Sequence, residues 1–245
     1  MEFKIIRNDI ANMKVDAIVL PANSRLREGS GTSNAIFEKA GRKALEKECK
    51  RYGKVEVGNS VPTLAYELDA KFILHTVVPK WKNGKQQEYE LLSAAYLSAL
   101  SLADQIQCES MAFPLLASGN NGFDLQLAFE IARESIQSFV PRKKLRKVYL
   151  TVYGRSVVSL LENKGFDIEE VVDELYVLQK QNELKLPVER VVEDSIDIAQ
   201  KFLEDGWDMI KSYLDDPKNR KHILEKSGKI VLSVMDKHGN RFISE

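Results

Sequence analysis

Short apolar runs alternate with amphipathic runs along the first two thirds of the chain. The apolar runs are rich in Val, Ile, Leu and Phe, and they predict strands at Phe3–Arg7, Val15–Leu20, Ser60–Tyr66, Lys71–Val78, Ser110–Phe113 and Lys147–Val152. Between them, apolar residues recur every three or four positions and predict helices at Ala35–Lys50, Glu88–Gln105, Asp124–Phe139 and Ser156–Asn163. Such alternation is typical of an α/β sandwich around a mixed or parallel sheet.

The pattern changes after Phe166. Helical periodicity then runs through Glu169–Gln181 and Glu189–Leu214, and acidic residues outnumber basic ones. We therefore predict an α/β domain at residues 1–166 and a mostly helical C-terminal extension at residues 167–245. The extension is expected to regulate the domain, to self-associate or to dock a protein partner, without forming the ligand site.

Composition excludes several classes of protein. With 44% hydrophobic residues the chain can bury a core, and it has no apolar run long enough to cross a bilayer. Because the N-terminal segment lacks an apolar signal core, we expect a cytoplasmic protein without a membrane partner. Cys49 and Cys108 stand far apart, His75 reads as a core histidine, and no set of His, Cys and Asp has the spacing of a metal site. We therefore expect neither a metal nor a cofactor.

Two glycine-containing segments each follow a predicted strand and lead into a helical pattern. They are residues 27–34 (REGSGTSN) and residues 117–124 (ASGNNGFD). Glycine lets the backbone approach a ligand closely, and the first N–H groups of a helix lack partners and carry partial positive charge. Each segment is therefore a candidate anion site, and the pair suggests a ligand with more than one phosphate. A purely structural reading, in which the glycines only end strands, stays open as the less favoured alternative.

Five segments taken together resemble the macrodomain family, which binds ADP-ribose. They are, in the family's order, Asn8–Ala11, Val15–Asn23, Gly29–Ile36, Tyr66–Pro79 and Phe113–Phe123. They stand where the family has Gly-Asp-Ile-Thr, VDAIVNAAN, GGGVDGAI, a Y-x-L-x-A-K…HTVGP stretch and FP…STGxxGYP. The resemblance covers roughly residues 3 to 166 and implies a three-layer α/β/α fold with a mixed central sheet. It also implies that the ligand is ADP-ribose, free, as O-acetyl-ADP-ribose or as a protein modification.

The resemblance assigns the adenine end of the ligand to residues that follow the first and last strands. The Asp9 carboxylate would accept a hydrogen bond from the adenine amino group, Ile10 would pack beside the base, and Tyr153 would place its ring against it. From the residues alone, an exposed turn Asp and a strand-end Tyr with its hydroxyl in water are equally open readings.

The resemblance assigns the distal ribose and the phosphates to three loops. Asn23 would face the distal ribose and contribute to catalysis, although a turn Asn that ties down its own loop also fits the sequence. One phosphate would be held by Gly29, Gly31, Thr32 and Ser33, and the other by Ser118, Gly119, Asn120, Asn121 and Gly122, with Phe123 completing the ligand-binding set.

The catalytic part of the predicted site departs from the hydrolytic members of the family. Ser33 stands where several of them carry an Asp that is thought to position or activate a water, and Phe37 replaces a His four positions later. Asn121 replaces the aromatic residue that covers the distal ribose. A serine hydroxyl is not a general base at neutral pH without an activator of its own. With Asn23 and Ser33 as the catalytic candidates, we expect weak hydrolysis of an ADP-ribosyl ester or O-acetyl-ADP-ribose at most, and whether the chain is an enzyme stays open.

Two functions of other classes stay open. A vestigial pocket would leave a non-catalytic regulatory module whose helical extension docks a partner. Nucleotide or RNA binding through the basic half of the chain ranks last, because the sequence has no basic stripe with interleaved aromatic residues.

Overall fold

The structure is a computed structural model and describes residues 1–183. A seven-stranded mixed sheet lies at the centre of these residues. The strands are Glu2–Arg7 (β1), Ala17–Ala22 (β2), Ser60–Leu64 (β3), Phe72–Val77 (β4), Ser110–Pro114 (β5), Lys147–Val152 (β6) and Ile168–Glu170 (β7). Their order across the sheet is β3-β4-β2-β5-β6-β1-β7. Strand β3 is antiparallel to β4, and all other neighbours are parallel. The carboxyl ends of the parallel strands therefore share one edge.

Helices pack on both faces of this sheet. They are Thr32–Ala40 (α1), Arg42–Cys49 (α2), Glu88–Gln105 (α3), Leu125–Ser138 (α4) and Arg155–Asn163 (α5); a further helix, Glu174–Glu183 (α6), follows β7. Side chains alternate along each strand, so Ala17 and Val19 join one apolar core while Ile18 and Leu20 join the other. The first core includes buried residues of α3, α4 and α5, and the second includes buried residues of α1 and α2. This arrangement confirms the predicted α/β/α layering and the mixed sheet.

The six predicted strands are confirmed, and two predicted helices need correction. The helix predicted at Ala35–Lys50 is two helices, because Gly41 takes a left-handed conformation (φ 92°) that ends α1 and precedes α2. Within the predicted helix Glu169–Gln181, the first residues belong to β7, and the helix begins only at Glu174. Pairing with the edge of β1 outweighs the local helical pattern there.

The chain divides into a compact unit at Met1–Val177 and a second unit at Leu178–Glu245. The domain boundary predicted after Phe166 thus lies before β7, which is part of the first unit. The helix predicted at Glu189–Leu214 and most of the predicted extension lie outside the described residues. Among residues 1–183, no helix has both the length and the apolar character needed to span a membrane.

His75 of β4 lies in the second core, and its burial makes the stability of the protein sensitive to acid. The side chain is fully buried, its Nε2 lies 2.9 Å from the Thr63 Oγ1, and burial lowers its pKa from 6.5 to about 4. Between about pH 6.5 and pH 4, His75 is therefore mostly protonated in the unfolded chain and mostly neutral in the folded chain.

We expect the free energy of unfolding to fall by about 1 kcal/mol between pH 7 and pH 5.5 through this residue alone. Urea unfolding of the parent and of His75→Gln at both pH values measures the effect, because Gln cannot take up the proton. An equal pH slope in the two proteins would contradict the assignment.

Candidate functional site

The residues predicted to bind a ligand gather at the carboxyl edge of the sheet. Asp9 follows β1, Asn23 follows β2, the second glycine segment follows β5, and Tyr153 follows β6. These four strands are neighbours in the order β2-β5-β6-β1. Ligands of open α/β sheets bind at such an edge, because the loops and helix N-termini that follow the strands meet there.

The first glycine segment contains an uncapped helix N-terminus. Gly31 is the residue before α1, and it has a φ of 58° and no side chain that could accept a hydrogen bond from the first turn. The N–H groups of Thr32 and its successors in that turn consequently lack intrahelical partners and carry partial positive charge. Gly29 behaves differently, since its N–H donates to the Ser33 Oγ at 3.0 Å. The N–H groups at the start of α1 could therefore bind an anion, and the hydrogen bond between Gly29 and Ser33 stabilises the loop that precedes them.

The second glycine segment forms a tight turn with a row of available donors. Its shape is held by hydrogen bonds from the Gly122 N–H to the Gly119 carbonyl (2.9 Å) and from the Phe123 N–H to the Ala117 carbonyl (3.2 Å). Within residues 1–183, no acceptor is found for the backbone N–H groups of residues 118–121. Consecutive N–H groups in a turn form a concave anion site.

The two loops meet in space. The Asn120 Nδ2 donates to the Ser30 Oγ at 2.7 Å, across 90 positions of sequence. Both residues are exposed. The uncapped start of α1 and the donor row of the second loop are therefore neighbours, which is the arrangement needed to hold two adjoining phosphates.

Two aromatic residues, Trp81 and Phe123, stabilise the second loop. The backbone N–H of Trp81 donates to the Asn121 carbonyl at 2.7 Å, and the Trp81 ring packs edge-on against the Phe123 ring, with 5.1 Å between centroids. Phe123 is only 3% exposed, so the structure places this predicted ligand-binding residue in the core beneath the loop. The Glu88 carboxylate stabilises the loop after Trp81 by accepting backbone hydrogen bonds, including those from Asn83 and Gly84. Burial alone would raise the pKa of Glu88, but these hydrogen bonds outweigh it and lower the pKa to about 2.

The Asn23 side chain forms hydrogen bonds within its own loop. Its Oδ1 accepts from the N–H groups of Arg25 and Arg27, both at 3.2 Å, and its Nδ2 donates to the Arg27 carbonyl at 2.7 Å. The side chain is exposed and one of its two amide hydrogens remains for another acceptor. The amide therefore shapes the rim of the first loop, as the alternative reading of the sequence allowed.

The other end of the site lies at β1 and β6. The Asp9 Oδ1 accepts from the Ala11 N–H at 2.9 Å and so caps a short 3₁₀ turn at Ile10–Asn12. Ile10 is 5% exposed and Tyr153 is half-buried. The N–H of Asn8 donates to the Val152 carbonyl at 3.1 Å, which fixes the start of this turn beside the end of β6.

Three residues near the site escaped sequence reasoning. Ser30 links the two loops, while Asn12 and Tyr176 form hydrogen bonds beside Asp9. Ser30 lies within the first glycine segment and could have been included on that ground. Tyr176 had no comparable signal, because it lies 167 positions from Asp9.

A wide hollow of about 540 Å³ lies away from this edge. It is lined in part by Asp16, Lys71 and Ser110, at the amino ends of their strands. The Lys71 Nζ pairs with the Asp16 Oδ1 at 2.7 Å, and the other Asp16 oxygen accepts backbone hydrogen bonds from residues 109 and 110. Because Asp16 and Lys71 are already paired with each other, and the uncapped helix start and the loop donors lie at the opposite edge, we place the candidate site at the glycine loops. Across residues 1–183, no group of three His, Cys, Asp or Glu side chains is placed to hold a metal ion.

Comparison with known proteins identifies the family. The family model of the Macro domain matches residues 19–132. An O-acetyl-ADP-ribose deacetylase of Salmonella gallinarum is 38% identical over 173 residues, which cover 67% of this chain and 96% of that protein. The chain belongs to the macro domain family. A macro domain-containing protein of Methanosarcina mazei is also 38% identical, over 62% of this chain and 81% of that protein.

Solved macro domains share the fold. The Oceanobacillus iheyensis macrodomain with ADP has a TM-score of 0.61 and 28% identity, and the match covers 65% of this chain and 87% of that one. The Trypanosoma brucei macrodomain in complex with ADP-ribose has a TM-score of 0.57 and 26% identity, over 67% of this chain and 69% of that one. The macro domain fold accounts for the mixed sheet and the helices on its two faces.

Proposed function

We propose that this macro domain binds ADP-ribose at the carboxyl edge of its sheet. The observation that carries the proposal is the meeting of the two glycine loops, which brings the uncapped start of α1 beside the N–H groups of residues 118–121, for which residues 1–183 supply no acceptor. A diphosphate has the charge and length to accept from both sets of donors at once. The named activity of the Salmonella relative and the ligands of the solved neighbours support the same chemistry.

The adenosine end of the ligand is assigned to the side of the site formed by β1 and β6. Asp9 supplies an ionised acceptor for the adenine amino group, and Ile10 and Tyr153 supply apolar surface beside the base. The distal ribose is assigned to the rim of the first loop, where Asn23 and Ser30 are exposed. Because this rim opens to solvent, the same site can accept ADP-ribose that is free or attached to a protein.

Isothermal titration calorimetry with ADP-ribose, ADP and AMP tests the proposal. We expect ADP-ribose to bind at least as strongly as ADP, because only ADP-ribose reaches the rim of the first loop, and AMP to bind more weakly than both, because AMP has only one of the two phosphates. A folded protein that binds none of the three would refute the proposed function, and equal binding of AMP and ADP would refute the two-loop phosphate site.

Hydrolysis of ADP-ribose linked to aspartate or glutamate should be slow or undetectable. General-base assistance is worth about 10²–10⁴-fold in rate. Ser33 stands where the family resemblance implies an Asp in hydrolytic members, and its oxygen accepts from the Gly29 N–H. Ser33→Asp should raise turnover, by a small factor because a base without its supporting contacts is poorly placed.

A turnover assay of the parent, Ser33→Asp and Ser33→Ala checks this expectation, with Ser33→Ala as the matched control for loss of the loop hydrogen bond. Fast turnover by the parent that Asn23→Ala leaves unchanged would contradict it and point to another catalytic group.

A further inference from the structure

The chain after α5 returns to the ligand edge of the sheet. Strand β7 pairs with β1, with Ile168 opposite Ile5 and Glu170 opposite Arg7. The N–H groups of Val171 and Val172 then both donate to the Arg7 carbonyl, at 3.0 and 3.2 Å. We call residues 168–177 the closing segment. Its position is tied to the residue that lies two places before Asp9.

A buried arginine anchors the closing segment. Arg7 is 2% exposed, its Nη1 donates to the Glu170 Oε2 at 3.1 Å, and its Nη2 donates to Glu174. Burial would lower the pKa of Arg7, but the bonds to Glu174 and Glu170 outweigh it and raise the pKa. Val177, at the end of the segment, is 1% exposed. Since an unpaired buried guanidinium is costly, Arg7 holds both carboxylates in place.

The first turn of α6 brings the Tyr176 hydroxyl to Asp9. The Asp173 Oδ1 accepts from the Tyr176 N–H at 2.8 Å, which caps the helix and orients its first turn. The Tyr176 hydroxyl lies 3.4 Å from the Asp9 Oδ2. This separation is longer than the usual 2.5–3.0 Å of an O–H···O bond, so the hydroxyl faces the carboxylate in a weak contact.

The side chains beside the Tyr176 hydroxyl agree with donation by the hydroxyl to Asp9. The Lys39 Nζ donates to the Asn12 Oδ1 at 2.7 Å, which leaves the Asn12 Nδ2 to donate to the Tyr176 oxygen at 2.8 Å. The hydroxyl itself donates toward the Asp9 Oδ2. The Asp9 Oδ1 also accepts a hydrogen bond, from the Ala11 N–H, so every contact described here presents a hydrogen to the Asp9 carboxylate.

We propose that Tyr176 is a positioning residue for Asp9 and that the closing segment completes the base end of the ligand site. In this arrangement Asp9 is held as a pure acceptor, which favours a purine with a 6-amino group over one with a 6-oxo group. The inference rests on the proposed function, since it takes Asp9 as the adenine acceptor. It differs from the sequence-based expectation that residues after 166 take no part in the pocket.

The test is calorimetric titration of the full chain with ADP and with inosine diphosphate (IDP), whose 6-oxo group offers an acceptor where adenine offers a donor. Tyr176→Phe keeps the ring and removes the hydroxyl. We expect ADP affinity to fall about 3–10-fold and IDP affinity to change by less than about twofold. Asn12→Ala should shift the ratio in the same direction, because it frees the hydroxyl to turn away.

Tyr66→Phe is the matched control, since the Tyr66 hydroxyl also donates to a carboxylate, that of Glu48 at 2.6 Å, away from the carboxyl edge. It should leave both affinities unchanged. An unchanged ratio of ADP to IDP affinity in Tyr176→Phe, whether both affinities fall or neither does, would overturn the proposal. The unmutated chain separates the two hypotheses, because only failure of the proposed function itself would leave it unable to bind ADP.

Discussion

Gly119→Val should abolish binding of ADP-ribose while leaving the protein folded. A Cβ at Gly119 would meet no atom within 4 Å, and its φ lies outside the left-handed region, so the loop itself can accept a side chain. The added side chain would instead occupy the space in front of the N–H groups at residues 118–121, where the proposal places a phosphate. Losing two or more hydrogen bonds to a charged group at about 1.5–3 kcal/mol each amounts to a loss of about 100-fold or more.

Calorimetry with ADP-ribose measures this loss, and thermal unfolding of the same samples reports the fold. Gly119→Ala is the graded control, and its smaller side chain should weaken binding by less. Undiminished affinity in folded Gly119→Val would move the phosphate to another part of the molecule.

Replacement of Asp9 should have the second largest effect. Asp9→Ala removes an ionised acceptor, which is worth about 1.5–3 kcal/mol, or roughly 10- to 150-fold in affinity for ADP-ribose. It also removes the cap of the 3₁₀ turn, since the Asp9 Oδ1 accepts from the Ala11 N–H. Loss of binding in this variant alone would therefore combine a ligand contact with a local change of the turn.

Asp9→Asn separates the two contributions. Its amide oxygen can still cap the turn, while its NH₂ group places a donor against the donor of adenine. We expect this variant to unfold at the temperature of the parent and yet to bind ADP-ribose nearly as weakly as Asp9→Ala. If Asp9→Asn binds as well as the parent, the adenine does not contact this carboxylate.

The sequence predicted the sheet well because its strands carry their own signal. Runs such as Lys147–Val152 are apolar and short, and a strand covered by helices on both faces needs little else. Strand β7 has no such signal. Its residues Ile168–Glu170 are mostly charged, and they form a strand because β1 offers an open edge and Arg7 needs a carboxylate partner.

The candidate site was predictable in its location and less so in its internal hydrogen bonds. Glycine segments after strands indicate where backbone donors will gather, and the structure brings both segments together. A sequence does not show which donors are already used. Ser33 accepts from within its own loop, and the Oδ1 of Asn23 is saturated by its neighbours. Which acceptor a donor uses depends on the exact positions of backbone and side-chain atoms, and these follow from the folded structure.

The position of β1 also bears on the order in which the domain is assembled during synthesis. Glu2 pairs with Lys147 and Ile5 with Ile168, so among the seven strands of residues 1–183 β1 is synthesised first and its two neighbours are synthesised last. Until then β1 has two open edges, which makes it the strand most in need of protection from wrong pairing. A nascent chain arrested before residue 147 already contains both glycine loops but has no partner for β1. The adenine end of the site is therefore the last part of the domain to be built.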